Sequence, residues 1–147
     1  MTEIKLTAEE LRMMSLMQAI SGVSPRDCVI DERWNRLIFV VNKEDMGRAI
    51  GKRGANVQQL AKLTGKEIEI VEFSPDPSVL LRNALGEKFV SEVRVTEDRE
   101  GRRIAVVVTD SRNTKFVRGR EGRNLHKAKL LGERYFQISD LQLVERG

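Results

Sequence analysis

Gly51-Lys52-Arg53-Gly54 places two glycines around a pair of cations, and Gly119-Arg120-Glu121-Gly122 repeats the layout 68 residues later. Glycine lacks Cβ, so such a turn reaches backbone conformations that other residues avoid and lets an extended polymer approach the main chain. Amide groups at the turn and at the start of the following helix would face a phosphate, with Lys52, Arg53 and Arg120 supplying counter-charge. Asn follows each loop at the same offset, as Asn56 and Asn124. Ile50, Val57 and Ile70 are candidate walls of an apolar groove for bases. The chemistry expected of these residues is grip on a phosphodiester backbone.

Other chemistries fit the residues less well. Gly47-Arg48-Ala49-Ile50-Gly51-Lys52 has three residues between its glycines where a nucleotide-binding P-loop needs four, and Arg53 stands where that loop needs Ser or Thr. One Cys and one His do not furnish a four-ligand zinc site, and His126 sits in a basic stretch. The 22 Asp and Glu residues fall in no recognisable catalytic motif. No enzyme activity, metal or cofactor is therefore expected. Trp34, in the turn Arg33-Trp34-Asn35-Arg36, reads as a packed turn residue rather than a base-stacking one. Aromatic residues make up only 5%, which argues for an aliphatic groove.

The charge pattern agrees with a polyanion as partner. Net charge is +4, but Lys43 to Lys66 holds six basic and two acidic residues, and Arg112 to Arg134 holds eight and two. Basic charge gathers around the two glycine loops and leaves the rest of the chain acidic, as expected of a directed binding stripe. Hydrophobic residues at 40% and charged residues at 33% describe a soluble globular protein. Cys28 has no partner for a disulfide and lies in the apolar run Cys28-Val29-Ile30, so a small buried side chain is expected. No stretch is long and apolar enough to span a bilayer, and Met1-Thr2-Glu3 lacks the start of a secretory signal. A monomeric, cytoplasmic protein is expected.

A repeat of 68 residues in a chain of 147 predicts two small domains, 1–73 and 74–147, packed on each other. Thr7 and Glu10 form a capping-box pattern before a helix over Leu11 to Ile20, which Gly22 stops. Cys28 to Ile30 and Leu37 to Val41 read as a hairpin turning through Asp31 to Arg36, its second strand central. A short helix from Asp45 then leads to the Gly51 loop, a helix over Asn56 to Leu63, and a strand over Ile68 to Phe73. Ser74-Pro75-Asp76-Pro77 is a linker with a capping residue in it. The second half predicts a helix at Ser78 to Leu85, a hairpin of Glu92 to Thr96 and Arg102 to Thr109, and the Gly119 loop with its helix through Lys127 to Leu131. Arg134 to Ile138 is the expected closing strand, with Leu141 to Val144 as an extra one.

At this point the residues resemble a known family. Ile50-Gly51-Lys52-Arg53-Gly54-Ala55-Asn56-Val57 resembles the signature of the KH domain, whose loop clamps a few nucleotides of backbone. The helix-first order resembles the prokaryotic, type II form, in which a three-stranded sheet is covered by helices, an α+β fold. Two such units joined through Pro75-Asp76-Pro77-Ser78 and the helix after it are similar to the KH pair of NusA-like transcription factors, in their shorter archaeal form. The resemblance implies single-stranded RNA as partner and a role in transcription elongation, termination or antitermination. It carries the site onto the first loop with Ile50, Asn56 and Val57, and onto Arg118-Gly119-Arg120-Glu121-Gly122-Arg123 with Lys127. The second motif departs from the pattern, with Arg118 in place of an aliphatic residue and Glu121 inside the loop; the cations around Glu121 are expected to outweigh it. A ribosome- or polymerase-associated adaptor that uses the KH fold as a scaffold is the alternative.

Overall fold

The computed structural model describes residues 4–147; Met1-Thr2-Glu3 lies outside the described residues. The chain divides into two compact units, Lys5–Phe73 and a second comprising Ser74–Gly147. Each is an α+β unit with its own three-stranded sheet.

In the first unit, α1 spans Ala8–Ser21. Its start is a reciprocal cap: the Glu10 amide donates to Thr7 Oγ1 at 3.0 Å and the Thr7 amide donates to Glu10 Oε1 at 2.8 Å. Gly22, left-handed at φ 75°, closes it. Strands β1 (Asp27–Asp31) and β2 (Arg36–Val41) pair antiparallel, and β2 pairs parallel with β3 (Glu67–Glu72). Between β2 and β3 run α2 (Met46–Ile50) and α3 (Ala55–Thr64), the crossover that a parallel pair requires. The core gathers Met17, Val23, Cys28, Leu37, Phe39, Val41, Ala49, Leu60 and Ile68. Each of the large side chains there stabilises the unit by about 1.5–3 kcal/mol. The central strand is β2, every residue of which is buried.

One departure from the sequence reading is instructive. Asp31 and Arg36 are not turn residues: Asp31 closes β1, Arg36 opens β2, and the turn is the four residues between them, with Asn35 at φ 49°. Arg36 is 1% exposed, yet its Nε donates to Asp31 Oδ2 at 2.6 Å and its Nη1 donates to Glu69 Oε2 at 2.7 Å. One guanidinium thereby ties all three strands at one end of the sheet.

The second unit opens with α4 (Pro77–Leu85), capped by Asp76, whose carboxylate accepts from the Ser78 amide at 2.9 Å and the Ser78 hydroxyl at 2.8 Å. Strands β4 (Glu92–Glu97) and β5 (Arg103–Asp110) form the antiparallel pair. The reversal between them is organised by Asp98, whose Oδ1 accepts from the amides of Glu100 and Arg102, both at 2.9 Å. Helices α5 (Thr114–Arg118) and α6 (Arg123–Phe136) lead to β6 (Ile138–Arg146), parallel to β5 with a register slip between Arg103 and Ile104.

The end of this unit corrects the expected closing strand. Arg134 to Phe136 complete α6, and the strand is β6, which takes in Ile138 and the Leu141 to Val144 segment expected as an extra strand. Lys127, Ala128, Leu131 and Gly132 are buried at helical spacing, so packing carries the helix into Tyr135 and Phe136 despite their β-favouring character. The helix stops where Gln137 turns left-handed at φ 57°, and Arg103 Nη1 donates to the Phe136 carbonyl at 2.6 Å. Among the described residues, no helix is long and apolar enough to cross a membrane.

Candidate nucleic-acid interface

Both glycine loops sit at the junction of a one-turn helix and a longer one, and the two backbones nearly coincide. Gly51 has φ 81° and ψ 167°, Arg53 φ 57° and ψ 29°, Gly54 φ 75° and ψ 19°. In the second copy, Gly119 has φ 74° and ψ 171°, Glu121 φ 58° and ψ 24°, Gly122 φ 79° and ψ 12°. Three successive departures from ordinary backbone are thus reproduced with different side chains. The two non-glycine members sit in the left-handed region at a cost of about 1–2 kcal/mol each.

The first glycine of each loop is required by what lies beneath it. A Cβ on Gly51 would stand 2.8 Å from the Asn56 amide nitrogen, and one on Gly119 would stand 2.6 Å from Asn124 Cβ. The second glycine of each faces open space or, at Gly54, only Gln58 Nε2 at 3.9 Å, so its φ alone calls for glycine. Asn56 Nδ2 donates to the Arg48 carbonyl at 2.7 Å, which holds the end of α2 against the start of α3. Asn124 Nδ2 donates to Val117 and Leu85 carbonyls at 3.1 and 2.8 Å, binding α5 and α4 to α6. The repeated Asn is therefore a clamp on the loop's shape.

Charge stands exposed on the loops. Lys52, Arg53, Arg118 and Arg120 are all exposed, and among the described residues none of them forms an ion pair. Arg48, by contrast, is engaged with Asp45 at 2.7 Å. Glu121 is exposed at the position where the first loop has Arg53, so the second loop carries less positive charge at its tip. Arg123 is half-buried, and Lys127, at 8% exposed, is among the buried residues of α6. Ile50 is 36% exposed beside Gly51, while Val57 and Ile70 are half-buried against the core. Trp34 is half-buried, with the Arg33 and Arg36 guanidinium carbons 4.4 and 5.4 Å from its ring centroid. His126 is half-buried in α6, and no group of three or more metal-ligating side chains occurs among the described residues. Sequence reasoning passed over Phe116, half-exposed in the turn before Gly119; its only signal was an aromatic residue where the first repeat has Arg48.

The loops and their setting have relatives. The family model for the KH domain matches residues 11–75. The probable transcription termination protein NusA of Halococcus morrhuae is 30% identical over 141 residues, covering 96% of this chain and 99% of that one. The chain belongs to the NusA family. Its NusA-like relative in Methanocaldococcus jannaschii, named in the same way, is 30% identical over 98% of this chain and 77% of that one. The crystal structure of APE1850 superposes with a TM-score of 0.85 at 32% identity, covering 94% of this chain and 99% of that one. The bacterial transcription termination/antitermination protein NusA of Halalkalibacterium halodurans matches 71% of this chain but only 27% of its own length. The tandem KH architecture, α+β with a three-stranded sheet in each unit, is thus that of the NusA family.

Proposed function

We propose that this NusA-like chain binds single-stranded RNA through both glycine loops and acts on nascent RNA as a non-catalytic transcription termination factor. The observation that carries this reading is the twice-built loop, with the same backbone in each copy and exposed cations that the protein does not itself neutralise. Gly51 and Gly54 give the RNA backbone access, and Lys52 and Arg53 supply its counter-charge. Ile50 and the flanks of Val57 and Ile70 form the wall on which bases lie. Arg118 and Arg120 serve the second loop, where Glu121 subtracts from the field and makes the second grip the weaker one. The role in transcription termination rests on the names of the relatives, and association with RNA polymerase is part of the same proposal.

The test is fluorescence-anisotropy binding to single-stranded RNA across a salt series. Gly54→Asp meets no clash and carries about 1–2 kcal/mol of left-handed backbone strain, so it is expected to keep the fold and to abolish binding by the first loop. Lys52→Asp/Arg53→Asp should weaken binding strongly and flatten the salt slope by about 1.4, at roughly 0.7 per lost phosphate contact on a single strand. Arg118→Asp/Arg120→Asp should do the same to a smaller extent. RNA affinity indifferent to all of these variants would sink the assigned site.

A further inference from the structure

The second unit carries an aromatic platform beside its glycine loop, at a position where the first unit has Arg48. Phe116 lies on α5, one turn before Gly119, and is 48% exposed. Its ring stacks on that of Phe89, with centroids 4.9 Å apart and planes 20° from parallel. Phe89 is held firmly. Its ring passes over Gly86, at φ 105°, so closely that a Cβ there would meet Phe89 Cδ2 at 2.9 Å. The buried Thr109 hydroxyl donates to the Phe89 carbonyl at 2.7 Å, and the Phe89 amide donates to the Gly86 carbonyl at 3.0 Å. The pair therefore presents a preset aromatic surface within a turn of the loop.

Its border is cationic. Lys88 Nζ lies 5.1 Å from the Phe89 centroid and Lys115 Nζ lies 5.2 Å from that of Phe116, both on exposed side chains. Arg118 and Arg120 follow on the loop side, against the acidic Glu87 and Glu121. Flat rings edged by long mobile cations are what sequence-tolerant single-strand sites use, the ring taking a base and the cations the adjoining phosphates. A purely apolar protein segment would leave those cations without partners.

We propose that Phe116, backed by Phe89, stacks a nucleobase of single-stranded RNA whose backbone lies on the second glycine loop, with Lys88 and Lys115 turning to its phosphates. The proposal rests on the RNA-binding reading above. It gives the second unit a base contact where Glu121 weakens its hold on the backbone.

The test compares oligoadenylate RNA with an abasic ribose-phosphate oligomer of the same length. Phe116→Ala and Phe116→Leu should bind oligoadenylate about tenfold more weakly than wild type, the loss expected of one stacked base, and bind the abasic oligomer unchanged. Phe116→Tyr should restore the affinity for oligoadenylate. In a Trp34→Phe background, Phe116→Trp supplies a single tryptophan whose emission should be quenched by oligoadenylate. Unchanged oligoadenylate affinity in Phe116→Ala, equal losses on both ligands, or unquenched emission each overturn the stacking site. If Lys52→Asp/Arg53→Asp still weakens binding, the RNA reading survives that failure and the rings fall to a protein partner. A wild-type chain that binds neither oligomer overturns both.

Discussion

Arg36 is the residue on which the first sheet most depends. Its charge is buried between Asp31 and Glu69, so its removal leaves a carboxylate in the interior without its counter-ion. Breaking a buried pair in this way costs about 3–5 kcal/mol, as much as a large core truncation. Arg36→Ala is expected to lower stability by that amount, measured as the shift in denaturant midpoint. Arg36→Met with Asp31→Leu removes the two buried charges, leaves only the partly exposed Glu69, and should recover much of the loss. A cost below about 1 kcal/mol for Arg36→Ala would show the pair to be solvated rather than buried. The asparagines under the loops act at the same scale. They use their amides on backbone carbonyls, and the loop's exposed cations owe their placement to those bonds.

Among the elements that follow the loops, α6 is longer than its counterpart α3, with 14 residues against 10. The added turn, Glu133 to Phe136, follows Gly132, which stands where Thr64 ends α3 and is buried with ordinary backbone. A Cβ there would stand 3.5 Å from Leu81 Cδ2 and from Ile138 Cβ, which is normal contact distance. Gly132→Ala is thus expected to stabilise the second unit by about 0.5–1 kcal/mol, the helix-propensity gain over glycine. The check is the thermal midpoint of the variant beside wild type; a lower midpoint would mean that α4 and β6 press on this site more tightly than the distances indicate. The same turn explains why the closing strand was misplaced in the sequence. Arg134 to Ile138 contains Tyr135 and Phe136, and local propensity alone reads such a run as a strand. Burial of Leu131 and Gly132 one turn earlier overrides it.

For the whole molecule, the two units share a fold, and the second holds carboxyls whose hydrogen bonds link its stability to pH. Three exposed carboxyls of the second unit are held below the usual value of 3.8: Asp76 by the Ser78 hydroxyl and amide, Asp98 by the Arg102 amide, and Asp110 by the Arg112 guanidinium. A depressed carboxyl binds its proton less readily folded than unfolded. Its contribution is present above the unfolded value and is lost as pH falls through the folded one. Denaturant midpoints of the second unit's transition are therefore expected to drop as pH is lowered from 5 towards 2.5. The variant Asp76→Asn/Asp98→Asn/Asp110→Asn should start lower at pH 7 and fall less steeply; an unchanged slope would remove these caps from the acid response.

What could be read in the chain alone was whatever repeats or caps locally. The two glycine loops, the Thr7–Glu10 box and the stop at Gly22 are each encoded within a few residues, because backbone conformation and nearest-neighbour hydrogen bonds set them, and the apolar run Leu37 to Val41 marks β2 as central. The rest depended on residues distant in sequence. That Arg36 is an interior tie rather than a turn charge required Glu69, 33 residues away. That Lys127 points inward was decided by packing around α6, since its neighbours in sequence advertise a basic surface. That Phe116 meets Phe89 across 27 residues required the sheet and helices to bring them together. Desolvation and close packing act between surfaces that only the folded chain makes, and no local pattern announces them.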